Sequence, residues 1–219
     1  MADQLYSVTG SDLYRIGSAV ASTRIAYSGT QRLSIQRRGK TERYQADVTY
    51  TRSDASGPAT LHADFVQELT ASGAFRDRRN DDPDFLTVLN QPFAIELDAT
   101  TLRDLAHLRG SVPFTATSPL GSSELHGFLR PGTSGLIDGR SVIGVRFEAK
   151  GPMSGGLPNH PATAIRGTIR MDGTAYYATH SALLLALDAT LDITGKLQHG
   201  TDEIPVRITY KRAIRATKK

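Results

Sequence analysis

The residues that could carry acid–base chemistry or hold a metal ion are spread along the chain. Six histidines are present, and no two stand two or four positions apart, as ligands of a local metal site usually do. His126 is the one candidate for proton transfer, because it lies on the side of its strand opposite to Leu125 and Leu129 and could face a cavity. The acidic run 80–84 lacks the glycine and closing glutamate of a calcium loop, and the start of a helix explains its charge. We therefore predict no metal site.

No motif for a nucleophile is present either. The run 151–156 places Pro152 where the G-x-S-x-G pattern of serine hydrolases requires a glycine. The chain contains no cysteine, which excludes disulfides, thiolate metal ligands and cysteine nucleophiles. The glycine loops that bind phosphates or dinucleotides are missing. The sequence thus favours a non-enzymatic protein that uses no cofactor.

Charge and hydropathy argue against two further classes of protein, those that bind nucleic acids and those that span a membrane with helices. The 219 residues carry a net charge of +4, and most basic residues alternate with apolar ones, as on solvated strand faces. The dense basic groups at 37–40, 76–79 and 211–219 are interpreted as solvated faces and a frayed tail, with a phosphate-binding surface as the alternative. They lack interleaved aromatic side chains that would stack on bases, so we expect no nucleic acid partner. No run of about 18 apolar residues occurs, so no transmembrane segment is predicted. The oligomeric state is left open.

A period of two in hydrophobicity runs through most of the chain and indicates antiparallel strands. In 182–194, Leu183, Leu185 and Leu187 share one side, and Asp188 and Asp192 share the other. Such alternation places one face of a sheet on a core and the other in water. The same pattern is found in Ser22–Arg38, Arg43–Arg52, Thr60–Thr70, Val112–Thr117, Glu124–Arg130, Val142–Ala149, Ala164–Asp172, Ala175–His180 and Ile204–Arg212. We predict an all-β, mainly antiparallel fold, a barrel or strongly curved half-barrel of about ten strands, in a single domain over residues 1–219.

One helix and two turns are predicted between these strands. Asp98–Arg109 has apolar residues at helical spacing, a capping side chain at its start and Gly110 after its end, which predicts one amphipathic helix (98–109). Asp138–Gly139 predicts a hairpin turn, and Asp172–Thr174 predicts another turn.

The remaining segments are less regular. Residues 1–18 show no clear pattern, 84–90 suggest one or two helical turns, and 92–97 suggest a short strand. Phe75–Pro83 and Lys150–Pro161 are charged or rich in glycine and proline, and we predict that both are long loops.

The C-terminal run Gly167–Tyr177, followed by the leucine-rich strand and Gly195, resembles the strand-turn-strand close of bacterial envelope proteins of the LolA/LppX-like half-barrel family. The resemblance covers about 50 residues and rests on strand rhythm and turn placement. It implies a curved antiparallel sheet, backed by a helix, whose apolar concave face holds a lipid or another hydrophobic ligand.

The leading functional hypothesis is a non-enzymatic binding or carrier protein with an apolar cavity for a lipid-like or aromatic small molecule. The two predicted loops would form the mouth of this cavity. There, Met153 and Leu157 would supply apolar contacts, and Tyr176, Tyr177 and His180 would supply polar ones.

Two alternatives stay open. One is an enzyme that uses a β-barrel pocket for isomerisation, cyclisation or hydrolysis, with histidine or tyrosine as acid–base residues. The other is a surface interaction protein without a pocket. We expect a bacterial envelope or periplasmic location, with Met1 in place of a removed signal peptide, and a cytoplasmic one otherwise.

Overall fold

The computed structural model describes residues 2–17, 22–39, 41–69, 75–81, 84, 97–118, 123–157, 160–199 and 201–217. These residues form twelve strands and one helix, α1, at Ala99–Ala106. The strands are β1 Ala2–Ile16, β2 Thr23–Arg38, β3 Thr41–Asp54, β4 Gly57–Leu69, β5 Phe75–Asn80, β6 Val112–Thr117, β7 Glu124–Pro131, β8 Gly135–Ile137, β9 Arg140–Leu157, β10 His160–Ala178, β11 Leu184–His199 and β12 Asp202–Ala216.

All the described strands belong to one antiparallel sheet. Its order is β5-β4-β3-β2-β1-β12-β11-β10-β9-β7-β6, and β8 pairs with β9. Most neighbours in the sheet are also neighbours along the chain, but β1 lies beside β12, with Asp12 opposite Tyr210. The edge strands β5 and β6 do not pair with each other, so the described sheet is open. The architecture is a strongly curved half-barrel, which confirms the predicted fold class.

Alternation along the strands decides which face of the sheet is buried. In β12, Val206, Ile208 and Tyr210 are buried, whereas Arg207 and Lys211 are exposed. The inward side chains form one core, and we call this side the buried face and the opposite side the outer face. The largest fully buried side chains are Tyr6, Tyr50, Tyr177, Tyr210, Phe65, Leu33, Ile35, Leu125, Ile165 and Ile169. The described part of the buried face is thus packed with the protein's own side chains.

The predicted helix is present but shorter than expected. Asp98 caps α1 and accepts hydrogen bonds from the backbone N–H groups of Thr100 and Thr101 at 2.9 and 3.0 Å. The helix ends at Ala106 rather than at residue 109, and Gly110 follows with a φ of +76°. Leu97 and Leu102 pack against the core, so the helix lies on the half-barrel.

The hairpin between β8 and β9 confirms the turn predicted at Asp138–Gly139. Both residues have positive φ, 49° and 76°, as a two-residue hairpin turn requires.

The turn predicted at Asp172–Thr174 is wrong, because β10 runs without interruption from His160 to Ala178. Gly173 is needed for space and not for a turn. A Cβ at this position would lie 2.5 Å from Cζ of Phe147 and 2.0 Å from the carbonyl oxygen of Asp188. The glycine lets the Phe147 ring of β9 lie over the strand.

Both predicted loops are wrong in their described parts. Residues 150–157 continue β9, and β10 begins at His160, so the described residues of Lys150–Pro161 belong to two long paired strands. Gly151 again marks a close approach, because a Cβ there would lie 2.4 Å from the carbonyl oxygen of Glu124 on β7. Within Phe75–Pro83, residues 75–80 form β5, and 82–83 lie outside the described residues.

Other expectations concern the chain ends and the middle segment. Residues 2–16, which show no clear pattern, form the long strand β1. Of the predicted elements at 84–90 and 92–97, only Asp84, in a turn, and Leu97, before α1, lie within the described residues.

Candidate functional site

A buried ion pair lies between β1 and β12 on the buried face. Asp12 and Arg212 have side chains that are 0% exposed, and Nη1 of Arg212 lies 2.5 Å from Oδ1 of Asp12. Gly10, directly opposite Arg212, makes this contact possible. A Cβ on Gly10 would lie 2.8 Å from Cδ of Arg212, so the arginine side chain occupies the space that a larger residue would fill.

Tyrosines surround this ion pair. Tyr27 and Tyr14 donate hydrogen bonds to Oδ2 of Asp12 at 2.8 and 3.3 Å. The Arg212 guanidinium carbon lies 4.7 Å from the ring centroid of Tyr27 and 5.7 Å from that of Tyr210, within cation–π range. Hydrogen bonds and aromatic faces therefore replace the water that both charges lose on burial.

A second carboxylate, Asp84, reaches the same cluster from the segment between β5 and α1. It accepts hydrogen bonds from the hydroxyls of Tyr50 at 2.7 Å and Tyr27 at 3.2 Å. Its carbonyl oxygen accepts a hydrogen bond from Arg212 at 2.7 Å, and its carboxylate lies 3.6 Å from Nε of Arg52. Asp84 thus attaches its segment to three strands, β2, β3 and β12.

The protonation of this cluster suits a structural role. Burial raises the pKa of Asp12, while the neighbouring Arg212 lowers it. Burial, together with the Asp12 and Asp84 carboxylates, raises the pKa of Tyr27 above its ordinary value, and burial raises the pKa of Tyr210 to about 12. The phenols therefore keep their protons at neutral pH and act as hydrogen-bond donors.

A second polar feature, which we call the basic groove, lies on the outer face of the same strands. It has a volume of about 420 Å³. Its lining consists of Ser11, Asp12, Leu13, Arg15, Arg24, Arg207, Thr209 and Lys211.

The groove contains four cationic side chains, those of Arg15, Arg24, Arg207 and Lys211. They come together because β1 pairs with β12 on one side and with β2 on the other. Arg15 lies directly opposite Arg207, and Ser11 lies opposite Lys211. On the other side of β1, Leu13 lies opposite Arg24. Cβ atoms of directly opposed residues are about 4.5–5.5 Å apart, and like charges in such a pair destabilise a sheet.

Several other arginines of the outer face have acidic partners. Arg130 lies 2.8 Å from Glu148, and Arg215 lies 2.7 Å from Asp188. By contrast, no Asp or Glu oxygen within the described chain comes within 4.0 Å of the charged atoms of the four basic-groove cations. Asp12, which borders the groove, is paired with Arg212 on the buried face. On the outer face, the nearest acidic side chain in the register is Asp192, which accepts a hydrogen bond of 2.5 Å from Thr209. The basic groove therefore combines positive charge with an open volume.

A shallower depression continues the basic groove along the outer face. It shares Ser11, Arg24 and Lys211 with the groove and reaches Asp172 and Asp188 at its far end. Burial raises the pKa of Asp172. These acidic side chains mark where the positive surface ends.

The residues predicted to form a ligand site do not meet at one place. Met153 and Tyr177 are both buried on the core side, but Met153 lies opposite Gly167 on β10. Position 167 is ten residues from Tyr177, or about 33 Å along a strand. Leu157 is the last residue of β9, near the Met153 end.

The other predicted residues lie on the outer face or in turns. Tyr176 is half-buried and lines a groove of about 340 Å³ with Leu136 and Ile137. His180 is exposed in a turn. His126 is exposed, with Nδ1 3.4 Å from Oγ1 of Thr115 and Nε2 4.0 Å from Glu124. The roles of all six predicted residues in binding or proton transfer stay predictions.

Sequence reasoning assigned neither polar feature, although Lys211 and Arg212 belong to the dense basic group at 211–219. One signal was available in β12, where Arg212 occupies an inward position between Tyr210 and Ile214 and so interrupts an apolar series. A charged side chain at a core position is stable only when it is paired with a buried group of opposite charge or with hydrogen-bond partners. The sequence around Arg15 contains no such signal, because hydrophobicity does not alternate clearly along β1.

Two general observations concern metals and membranes. Across the described residues, no group of three or more His, Asp or Glu side chains is arranged to hold a metal ion. Within the same part of the chain, no helix has the length and hydropathy of a membrane span.

No family model and no curated protein matches this sequence. Among solved structures, a chain of lipovitellin, from a structure of lipid–protein interactions in lipovitellin, superposes with a TM-score of 0.49 and 10% sequence identity. The superposition covers 99% of the present chain and 25% of the lipovitellin chain, so the present chain spans 25% of that chain's length. The resemblance to LolA/LppX-like proteins stays a prediction.

Proposed function

We propose that this protein is a non-enzymatic binding protein and that the basic groove holds an anionic group of its ligand. The observation that supports this most directly is the pair Arg15 and Arg207, which face each other across two strands without an acidic partner among the described residues. Like charges directly opposite each other destabilise the sheet of the free protein. A bound anion would convert this repulsion into attraction.

The chemistry of the side chains suits an oxyanion. Three of the four cations are arginines, whose planar guanidinium groups match the oxygens of phosphate, sulfate or carboxylate with two parallel hydrogen bonds. Ser11 and Thr209 add hydroxyls to the lining. The volume of about 420 Å³ lies within the range of small-molecule sites.

A lipid-like ligand, which the sequence predicts, would join such an anionic group to an apolar part. Leu13 lies within the basic groove and could contact the beginning of that part. The predicted apolar cavity inside the half-barrel is not needed for this arrangement. On the described buried face, the side chains pack against one another.

Titration with inorganic phosphate at low ionic strength tests the proposal. We expect saturable binding, and we expect Arg207→Gln to weaken it about three- to tenfold, since one charge-assisted contact is lost in a solvated site. Without phosphate, the same variant should be as stable as the wild type or more stable, because repulsion with Arg15 is relieved.

Arg130→Gln is the matched control, because it removes one outer-face arginine that is paired with Glu148 and lies on β7, away from the groove. It should leave phosphate affinity unchanged. Absence of saturable binding, or an equal loss of affinity in both variants, would contradict the proposal.

A further inference from the structure

We infer that the basic groove is one of two neighbouring anion subsites and that the ligand is a linear polyphosphate chain, which extends across the outer face to Arg166 and Lys196. This inference rests on the proposed function and deepens it, because it names the class of the ligand. The side chains that support it all lie on the outer face.

A second pair of like charges lies beside the groove. Arg166 of β10 lies directly opposite Lys196 of β11, and both side chains are exposed. The adjacent residues Ile165 and Leu197 are buried, so the two cations project from the outer face, as Arg207 does. Like charges in a directly opposed pair repel each other in the free protein.

The register connects this pair to the basic groove. Arg207 lies directly opposite Thr194, and Lys196 follows two positions later on the same strand. Such diagonal neighbours are about 7–8 Å apart. A continuous series of cations, which we call the cationic row, therefore crosses the four adjacent strands β1, β12, β11 and β10 and consists of Arg15, Arg207, Lys196 and Arg166. It spans three strand spacings, or about 14 Å.

The surface between the two pairs carries hydroxyl groups. Thr194 lies opposite Arg207 on one side and opposite Thr168 on the other, and both threonines are exposed. Their hydroxyls can donate hydrogen bonds to phosphate oxygens. Neither the cationic row nor these two positions contain an aromatic ring on which a nucleic acid base would stack. This combination favours a chain of phosphates over a nucleic acid.

Two carboxylates border the cationic row without cancelling its charge. Glu203 lies 2.5 Å from Nζ of Lys196, and both side chains are exposed. Such surface pairs contribute little to stability, so a phosphate can replace the carboxylate. Asp192 is a diagonal neighbour of Arg207. Within the described chain, no Asp or Glu oxygen comes within 4.0 Å of the charged atoms of Arg166.

Calorimetric titration of the full chain with pyrophosphate and with long-chain inorganic polyphosphate, at low ionic strength, tests the inference. Pyrophosphate is too short to span the cationic row and should bind in the basic groove alone. We expect the long chain to bind at least about tenfold more tightly, because its contact with the second subsite is intramolecular.

Three variants separate the two subsites. Arg166→Gln should weaken long-chain binding about three- to tenfold and leave pyrophosphate affinity unchanged, since one charge-assisted contact is lost at the second subsite only. Arg207→Gln should weaken the binding of both ligands. Glu203→Gln should strengthen long-chain binding, because it removes a carboxylate that repels the ligand.

Arg170→Gln is the matched control, because Arg170 is an exposed arginine of the same strand but lies 3.6 Å from Asp172 and opposite Asp192. It should bind both ligands like the wild type. Lys196→Gln is a second variant at the tested subsite, should Arg166→Gln fail to fold by circular dichroism.

The outcomes distinguish this inference from the proposed function. Pyrophosphate binding without tighter binding of the long chain would overturn the second subsite and leave the proposed function in place. Equal losses in Arg166→Gln and Arg170→Gln would also overturn it. Tighter binding of a single-stranded oligonucleotide than of polyphosphate would overturn the class of ligand. Failure to bind phosphate, pyrophosphate and polyphosphate would overturn the proposed function itself.

Discussion

Replacing Asp12 by asparagine should destabilise the fold strongly, because it leaves a guanidinium buried without its counter-charge. The substitution keeps the size of the side chain and an oxygen that can accept from Tyr27, so it removes mainly the charge. Both partners are 0% exposed, and water cannot screen the remaining charge of Arg212. Removing one member of a buried ion pair typically costs about 3–5 kcal/mol. That is a large part of the about 5–15 kcal/mol by which a domain is stable.

Arg212→Met provides the contrasting perturbation. It removes a guanidinium that cannot lose its proton and leaves a carboxyl group that can become neutral by taking one up. We therefore expect Arg212→Met to cost less than Asp12→Asn at acidic pH. In the double variant no unpaired charge remains, so its loss should be at least about 2 kcal/mol smaller than the sum of the two single losses.

The pH dependence follows from the direction of the pKa shift of Asp12. Burial raises its pKa in the folded state, and Arg212 opposes the rise. Between the unfolded and folded pKa values the folded chain binds more protons, so the free energy of unfolding falls as pH rises through this range. In Arg212→Met the opposing charge is gone, so the fall should extend to higher pH. Asp12→Asn should lack this contribution.

Urea denaturation followed by circular dichroism, at several pH values, measures all three variants. A loss below about 1 kcal/mol in Asp12→Asn would refute the reasoning, because it would mean that water reaches the ion pair. A pH dependence in Arg212→Met equal to that of the wild type would refute the assigned role of Arg212.

Substitutions at three further positions test two buried sites and the helix cap by the same denaturation measurement. Tyr177→Phe should leave stability unchanged or raise it by about 1 kcal/mol, because the buried hydroxyl has no hydrogen-bond partner among the described residues; a clear loss would show that it has one. Gly173→Ala should cost about 1–3 kcal/mol, because its Cβ would lie 2.5 Å from the Phe147 ring, and an unchanged midpoint would disprove this contact. Asp98→Ala should cost about 1 kcal/mol through loss of the helix cap, and Asp98→Asn should retain most of the stability.

Most strands could be predicted from the sequence, because the period of two is a local property. The expected strand Arg43–Arg52 appears as β3, Thr41–Asp54, with Tyr44, Val48 and Tyr50 buried as their spacing requires. The helix was predictable for a similar reason, since the side chain of Asp98 bonds to N–H groups only two and three residues away.

Strand β1 escaped prediction because its inward positions are not uniformly apolar. Gln4, Gly10 and Asp12 share the buried face with Tyr6 and Val8. The glycine and proline residues of β9 and β10 led to the wrong prediction of a loop and a turn, because both residue types are typical of turns when only the sequence is known. In the folded sheet, Gly151 and Gly173 admit neighbouring strands and side chains at close range.

The sequence by itself determined most of the strands, which side of each of these is apolar and where the helix begins, because these follow from contacts within a few residues. Only the tertiary structure decided that β1 lies beside β12. That pairing joins Asp12 to Arg212, 200 positions away, and sets Arg15 opposite Arg207. The physical reason is that charge interacts through space. A buried ion pair and a basic groove therefore exist only after distant segments have become neighbours.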